Sequence, residues 1–400
     1  MRKVPKLRFK EFSDEWEEKK LGEIGNKITL KNNSEKIKTV LTNSAEKGIV
    51  KQEDFFDKEI TNEKNINNYY IVSKNDFVYN PRISKQAPYG PINKSNIDIG
   101  IVSPLYLVFN IKNENVNFLE KYFKSSYWYS YMYNIGNSGA RSDRMNIGVN
   151  DFFNMPINIP SIQEQEKIAN FLSNVDKKIS LTEEKLELFR EYKKGVMQKI
   201  FSQELRFKDS NGNDYPEWEE KRLGEIFIEI SERNINEKNL ELLSVSISNG
   251  VQKRSEIDTK DNSSEDKSNY KKVSINDIVY NTMRMWQGAV GVSNYSGIVS
   301  PAYTVVRLNV SANTNYFKYL FKTSNMIYLF KKFSQGLTSD TWNLKFEKFR
   351  EIKIFIPSSL EEQEKIADFL SSIDSKIESI EKELEGLKEF KKGLLQQMFV

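Results

Sequence analysis

Between Ile168 and Ile200 apolar side chains return at alternating steps of four and three residues: Ile168, Leu172, Val175, Ile179, Leu186, Phe189, Val196 and Ile200, with Thr182 and Lys193 at the two remaining places. The same pattern runs through Ile366, Leu370, Ile373, Ile377, Ile380, Leu384, Leu387 and Leu394 to Met398, with Lys391 where Lys193 stood. A seam held for about five heptads predicts a coiled coil rather than an ordinary surface helix. Ser161-x-x-Glu164 and Ser359-x-x-Glu362, just after Pro160 and Pro357, read as capping boxes that start the two helices. About 38 residues at 1.5 Å rise predict rods of about 55–60 Å. Gly195 and Gly393 interrupt each helix near its end. Each is either a tolerated helical glycine, at about 1 kcal/mol, or a place where another backbone comes close.

The two seams belong to a chain written twice. Residues 16–24 (WEEKKLGEI) return as 218–226 (WEEKRLGEI), and residues 165–201 return as 363–399 with 20 of 37 positions identical. Residues 7–10 (LRFK) return as 205–208. One seam alone would leave a long apolar stripe in water, so two seams in one chain predict helices that cover each other. The second variable region follows the end of the first helix and precedes the start of the second. One compact domain serves both ends only if the helices run antiparallel. By the same logic residues 1–24 dock beside the C-terminal end of the second helix. The expected parts are a lead-in segment with a first recognition domain (1–160), a central helix (161–201), a second lead-in and recognition domain (202–357), and a C-terminal helix (358–400). Two globular ends related by a pseudo-two-fold axis follow from this arrangement.

The regions between the repeats, about 27–158 and 228–355, diverge and read as mixed α+β. Residues 71–80, 100–111, 273–281 and 297–308 alternate enough to predict strands, and residues 118–133 and 316–333 predict aromatic-rich helices. The fold class expected is α+β: two globular domains joined by two long antiparallel coiled-coil helices. The loops 81–99 and 282–296 differ most between the copies.

Composition narrows the chemistry. The chain has no Cys and no His, so thiol nucleophiles, imidazole bases and Cys/His zinc sites are all excluded. No run approaches the roughly 18 apolar residues of a membrane span. The N-terminus, MRKVPKLRFKEF, carries basic residues without a following apolar stretch, which leads us to expect a cytoplasmic protein with no membrane partner. Neither GxGxxG nor GxxxxGK[ST] occurs, and Asn80-Pro81-Arg82 lacks the second proline and the aromatic of an amino-methyltransferase motif. The net charge is only +4, but residues 80–145 carry eight Lys/Arg against four acids, and residues 281–345 carry seven against Asp340 alone. Positive charge thus lies in the divergent inserts, where a polyanion can be met. Base edges are read by Arg or Lys and by Asn or Gln, while phosphates are held by Lys, Ser and Thr. The candidates are Asn80, Arg82, Lys85, Gln86, Tyr89, Arg141, Ser142 and Arg144 in the first insert. In the second they are Asn281, Arg284, Trp286, Gln287, Thr338, Ser339, Thr341 and Asn343. Residues 139–146 (GARSDRMN) align with 336–343 (GLTSDTWN). The shared Asp143/Asp340 and Asn146/Asn343 read as turn caps, the differing Arg141/Thr338 and Arg144/Thr341 as contact residues. Trp286 is equally readable as core.

The tandem layout, the helix starts IPSIQEQEKIANFL (159–172) and IPSSLEEQEKIADFL (356–370), and the helix ends YKKGVMQKIF (192–201) and FKKGLLQQMF (390–399) resemble the specificity subunit of type I restriction–modification systems. The resemblance covers essentially the whole chain. It implies two target recognition domains, each reading one half of a split site in double-stranded DNA, and antiparallel helices that act as a ruler between the halves. It also implies two modification subunits, which bring S-adenosylmethionine and methylate adenine, and restriction subunits that use ATP and Mg. The chain itself then has no catalytic residue, metal or cofactor. Because the two inserts differ, the site is expected to be asymmetric. The competing reading is a two-headed coiled-coil adaptor for proteins, which accounts for the duplication but not for the charge in the inserts. A nuclease or methyltransferase acting alone is a third reading.

Overall fold

The computed structural model describes residues 4–55, 63–138, 143–235, 240–258 and 263–400. They form two compact units: Met1–Glu183 with Lys382–Val400, and Glu184–Glu381. The helix Ile162–Phe201 contributes to both units, as does the helix Leu360–Gln397. Every seam position is buried or half-buried, Ile168, Leu172, Leu186, Ile366, Leu370, Ile373, Ile380 and Leu394 among the buried ones. Within each unit the two helices run antiparallel. In unit one Asp176 pairs with Lys391 at 2.5 Å and Glu183 with Lys388 at 2.7 Å. In unit two the repeat-equivalent pairs are Asp374 with Lys193 at 2.5 Å and Glu381 with Arg190 at 2.6 Å. Among the described residues no helix is long and apolar enough to cross a membrane.

The body of unit one is a four-stranded antiparallel sheet in the order Gly25–Ile28, Leu107–Ile111, Phe77–Tyr79, Ile92–Lys94. Unit two repeats it as Phe227–Ile230, Tyr303–Leu308, Ile278–Asn281, Val290–Val292. A valine-rich core covers one side of each sheet, with Val72, Val78, Val102 and Val108 in unit one and Val273, Val279, Val299 and Val305 in unit two. A larger aromatic core joins the sheet to the long helices. It holds Trp16, Phe77, Phe109, Phe118, Leu172 and Phe399 in unit one, and Trp218, Phe227, Tyr280, Phe317, Phe349 and Leu370 in unit two.

Each segment predicted as one strand is in fact two. Residues 71–80 divide into Tyr70–Ser73 and Phe77–Tyr79, which lie in different sheets. Asn75 takes a left-handed φ of +72° between them, and the Asp76 carboxylate accepts the Ser73 N–H at 2.7 Å. Residues 273–281 divide in the same way around Asn276 (φ +71°) and Asp277. Residues 100–111 and 297–308 break at their Ser-Pro turns into Ile99–Val102 with Leu107–Ile111, and Gly297–Val299 with Tyr303–Leu308. The predicted helices are also double: Val116–Tyr122 with Tyr129–Ile135, and Thr314–Leu320 with Ser324–Phe333. The breaks lie where the chain turns between the valine core on one side and the aromatic core on the other. The Asn-Asp dipeptide was the local signal of a break.

The capping boxes are half formed. Ser161 Oγ accepts the Glu164 N–H and Ser359 Oγ that of Glu362, both at 3.4 Å. The glutamates do not return to the cap. Glu164 takes the Arg8 guanidinium through two bonds of 2.7 and 2.8 Å, and Glu362 takes that of Arg206 at 3.2 and 3.1 Å. Both carboxylates are only 1% exposed. A buried carboxylate is stable only when its charge is met, and a guanidinium meets both oxygens at once. The arginines come from the lead-in segments. In unit two the Leu205 N–H donates to Lys199 O at 3.0 Å, just after the first long helix. In unit one the equivalent Leu7 donates to Gln397 O at 2.9 Å, which meets the expectation that residues 1–24 dock at the C-terminal end of the second helix. The lead-in strand Glu17–Lys20 then pairs antiparallel with Pro156–Ile159, and Glu219–Arg222 with Lys353–Ile356.

Close backbone approach does not explain the helix glycines. A Cβ on Gly195 would meet nothing within 4 Å, and one on Gly393 only the side-chain nitrogen of Gln397 at 3.9 Å. They are helical glycines in open space. Gly195→Ala should therefore stabilise the chain by about 1 kcal/mol, seen as a higher thermal midpoint. An unchanged or lower midpoint would mean that the position is not helical in solution.

Candidate nucleic-acid interface

The candidate residues of unit one follow the strand Phe77–Tyr79. Asn80 is buried, its amide donating to Asn43 O at 2.9 Å while its Oδ1 accepts the Arg82 N–H at 3.0 Å. The amide expected to meet a base is spent on turning the chain. The turn brings residues 81–83 alongside 143–145: Met145 N–H donates to Pro81 O at 2.9 Å, and Ile83 N–H to Asp143 O at 3.0 Å. Arg82 thus stands opposite Arg144. Its guanidinium lies 3.6 Å from the Asp143 carboxylate with both side chains exposed, a pairing of little energy that a stronger anion can displace. Lys85 and Gln86 are exposed at a turn closed by Ser84 and Ala87. Tyr89 is half-buried with its ring 5.1 Å from that of Tyr129. Arg141 and Ser142 lie outside the described residues.

Unit two makes the same junction with different side chains. Asn281 Oδ1 accepts the Met283 N–H at 3.0 Å, and Thr282 O accepts the Leu344 N–H at 2.9 Å. The segment that follows is a short helix, Met285–Gln287, where unit one has the turn of Ser84 to Ala87. Arg284 is exposed and Gln287 half-exposed. Trp286 is half-buried: its ring meets Trp342 edge-on at 5.2 Å and its N–H donates to Met283 O at 3.1 Å. The facing turn is closed by paired bonds between Gln335 and Asn343, each 2.8 Å. Gly336 takes φ +140°, and a Cβ there would strike Thr341 O at 2.6 Å. Thr338, Ser339 and Thr341 are exposed at its tip, and Asn343 spends one amide hydrogen on Thr341 O at 3.3 Å, a turn-capping role.

Two cations of the second insert lie beside the candidates without being among them. Lys331 and Lys332 are exposed at the end of the helix Ser324–Phe333, and Lys331 holds its ammonium 5.3 Å from the Trp342 ring centre. The signal was the Lys-Lys pair itself, unremarkable in a chain with 60 Lys and Arg. Each unit thus carries an exposed, cation-bearing junction of two loops on a rigid sheet, suited to a polyanion. Among the described residues no group of His, Cys, Asp and Glu is placed to hold a metal ion.

Comparison with known proteins agrees with the repeat. Residues 13–188 and again 215–389 match the family described as type I restriction modification DNA specificity domain. A specificity subunit of the type I restriction enzyme MjaVIII from Methanocaldococcus jannaschii is 35% identical over 80 residues, 19% of this chain and 19% of that protein. Among solved structures, the S subunit of a type I restriction–modification system from M. genitalium superposes with a TM-score of 0.56 at 15% identity, covering 99% of both chains. A chain from a study of complex assembly and conformational transition of the type I R-M system gives a TM-score of 0.52 at 15% identity, over 96% of this chain and 97% of that one. At such identities the structural matches speak for the fold.

Proposed function

Because this chain belongs to the family of type I restriction–modification DNA specificity proteins, we propose that each of its units reads one half of an asymmetric, bipartite site in double-stranded DNA. The long helices set the distance between the halves and dock two modification subunits. Those subunits supply S-adenosylmethionine and adenine methylation, and restriction subunits with ATP and Mg join the same complex. The observation that carries this reading is the junction present in both units on one frame with different side chains. Arg82, Lys85, Gln86 and Arg144 serve the first, and Arg284, Gln287, Thr338, Ser339 and Thr341 the second. Docking along the helices is supported by Leu181 and Phe390 in unit one and by Leu188 and Tyr192 in unit two, all more than half exposed on helical segments.

The deciding experiment is methylome sequencing of cells that express this chain with its modification subunits. One asymmetric split motif is expected; methylation without sequence preference would end the proposal. With the purified complex, Arg284→Ala should cost about 1–3 kcal/mol at the unit-two half-site and relax its sequence choice, whereas Lys85→Ala should weaken all sequences alike and lower the salt slope by about one. Fluorescence anisotropy at several salt concentrations separates the two. Affinity that ignores salt would favour a protein adaptor instead. A helical insertion of a few residues near Ser180 should lengthen the unspecified gap and leave both half-sites intact, and an active complex with an unchanged gap would refute the ruler.

A further inference from the structure

Unit two contains a cavity of about 760 Å³ between the C-terminal part of the first long helix, the corner that joins the two short helices at residues 320–326, and the strand Lys353–Ile356. Its lining combines two properties. Met197, Phe201 and Met326 make an apolar wall, with the half-exposed Phe355 ring at the rim. Among the described residues five cations also line it, and no carboxylate does. Three of them are neutralised from outside the cavity: Arg190 by Glu381, Lys193 by Asp374, and Lys353 by Glu220. The other two are not. Lys194 is exposed and makes no ion pair with a described carboxylate. Lys322 donates only to carbonyls, Ile247 O at 2.9 Å and Gly288 O at 2.6 Å. Burial, with Lys193 and Lys318 nearby, pushes its ammonium down to about 8.

The other half of the repeat supplies an internal comparison. Asn325 of the lining corresponds to Tyr127 in unit one, and the lining residue Gln198 corresponds to Gln396. In unit one the Tyr127 hydroxyl donates to Gln396 O at 2.6 Å, so the phenol spans from the short-helix corner to the long helix. The shorter Asn325 leaves that span open in unit two. The two sites also differ elsewhere in the lining, with Trp128, Pro156 and Asn158 in unit one where unit two has Met326, Lys353 and Phe355, and the phenol bridge is one of these differences.

We propose that this cavity receives an acidic segment of a partner polypeptide, which sets an apolar side chain against Met197, Phe201 and Phe355 and a carboxylate between Lys194 and Lys322. A nucleic-acid backbone would satisfy the cations but leave the apolar wall wet. An apolar group alone would leave the cations unmet. An acidic segment with an embedded aromatic answers both. The partner is then held at unit two, where Asn325 leaves the span open.

Anisotropy titration of the full-length chain with a fluorescein-labelled peptide, Asp-Glu-Leu-Phe-Glu-Asp, tests this. The peptide should bind at one equivalent, and Asn325→Tyr should weaken it about tenfold or more. Lys194→Glu, on an exposed helix face, should also weaken binding about tenfold and keeps the test decisive if the tyrosine variant misfolds. Equal affinity in the wild type and both unit-two variants would overturn the proposal. So would equal binding of a peptide with serines in place of the apolar pair, or displacement of the probe by duplex DNA at the same concentration.

Discussion

Replacing Arg206 with methionine should destabilise unit two by about 3–5 kcal/mol, the cost of stranding a buried carboxylate without its cation. Glu362 is 1% exposed and Arg206 20%, so water cannot take over the pairing. The guanidinium does more than neutralise the charge: it also donates to Pro216 O at 2.7 Å, which ties the lead-in segment to the start of the second long helix. Methionine keeps most of the stem volume, so the loss would be electrostatic rather than a cavity. For a unit of this size the thermal midpoint should fall on the order of 10 °C. The control is Arg206→Met combined with Glu362→Gln. A neutral amide can still accept the Trp218 N–H, which lies 3.2 Å from Glu362 Oε1. Circular-dichroism melts should show the double variant recovering most of the loss. If it melts with the single variant, the buried charge is not the cause. Arg8→Met should act in the same way on unit one, where the pair is 13% and 1% exposed.

Exchanging residues 27–158 for the matching region of another specificity subunit should rewrite one half of the methylated site and leave the other half intact. The physical basis is how the insert is hooked to the frame. The Asn115 N–H donates to Gln165 Oε1 at 2.9 Å, and the Asn313 N–H to Gln363 Oε1 at 3.0 Å. The glutamines also donate to Pro160 O and Pro357 O, each at 2.9 Å. A hook made of a backbone N–H is independent of the insert's side chains, so foreign inserts can use it. Side-chain ties vary instead: Asp176 takes Lys121 at 2.7 Å, while Asp374 takes the Tyr319 hydroxyl at 2.8 Å. Each mismatched base pair should cost about 1–3 kcal/mol, so the original first half-site should go unmethylated. Methylome sequencing reads both halves at once, and a change in both would rule out independent units.

The long helices were legible because a seam buried along one side must repeat at the helical period, and no other arrangement keeps twenty positions from water. The mixed class of the inserts was legible for a similar reason. Their internal breaks were not. Val72, Phe77 and Val78 are all buried, yet Val72 and Val78 face the valine core and Phe77 the aromatic one. Periodicity reports burial and says nothing of which core is reached. Ser161 and Glu164 had the spacing of a capping box, but spacing could not show that Arg8, 156 residues away, competes for the same carboxylate. Asn80 illustrates the limit for the candidate interface, since an asparagine that turns the chain and one that reads a base are the same letter.

The sequence by itself determined the duplication, the helical seams, the placement of charge in the divergent inserts and the absence of thiol and imidazole chemistry. These are properties of residue type and spacing along the chain. Only the tertiary structure decided which of the repeated carboxylates are buried and by which arginine each is held, which loops meet at the end of each sheet, and that Tyr127 bridges a gap which Asn325 leaves open. Those outcomes depend on residues far apart in the chain competing for one partner or one volume, and neither competition leaves a mark on local pattern.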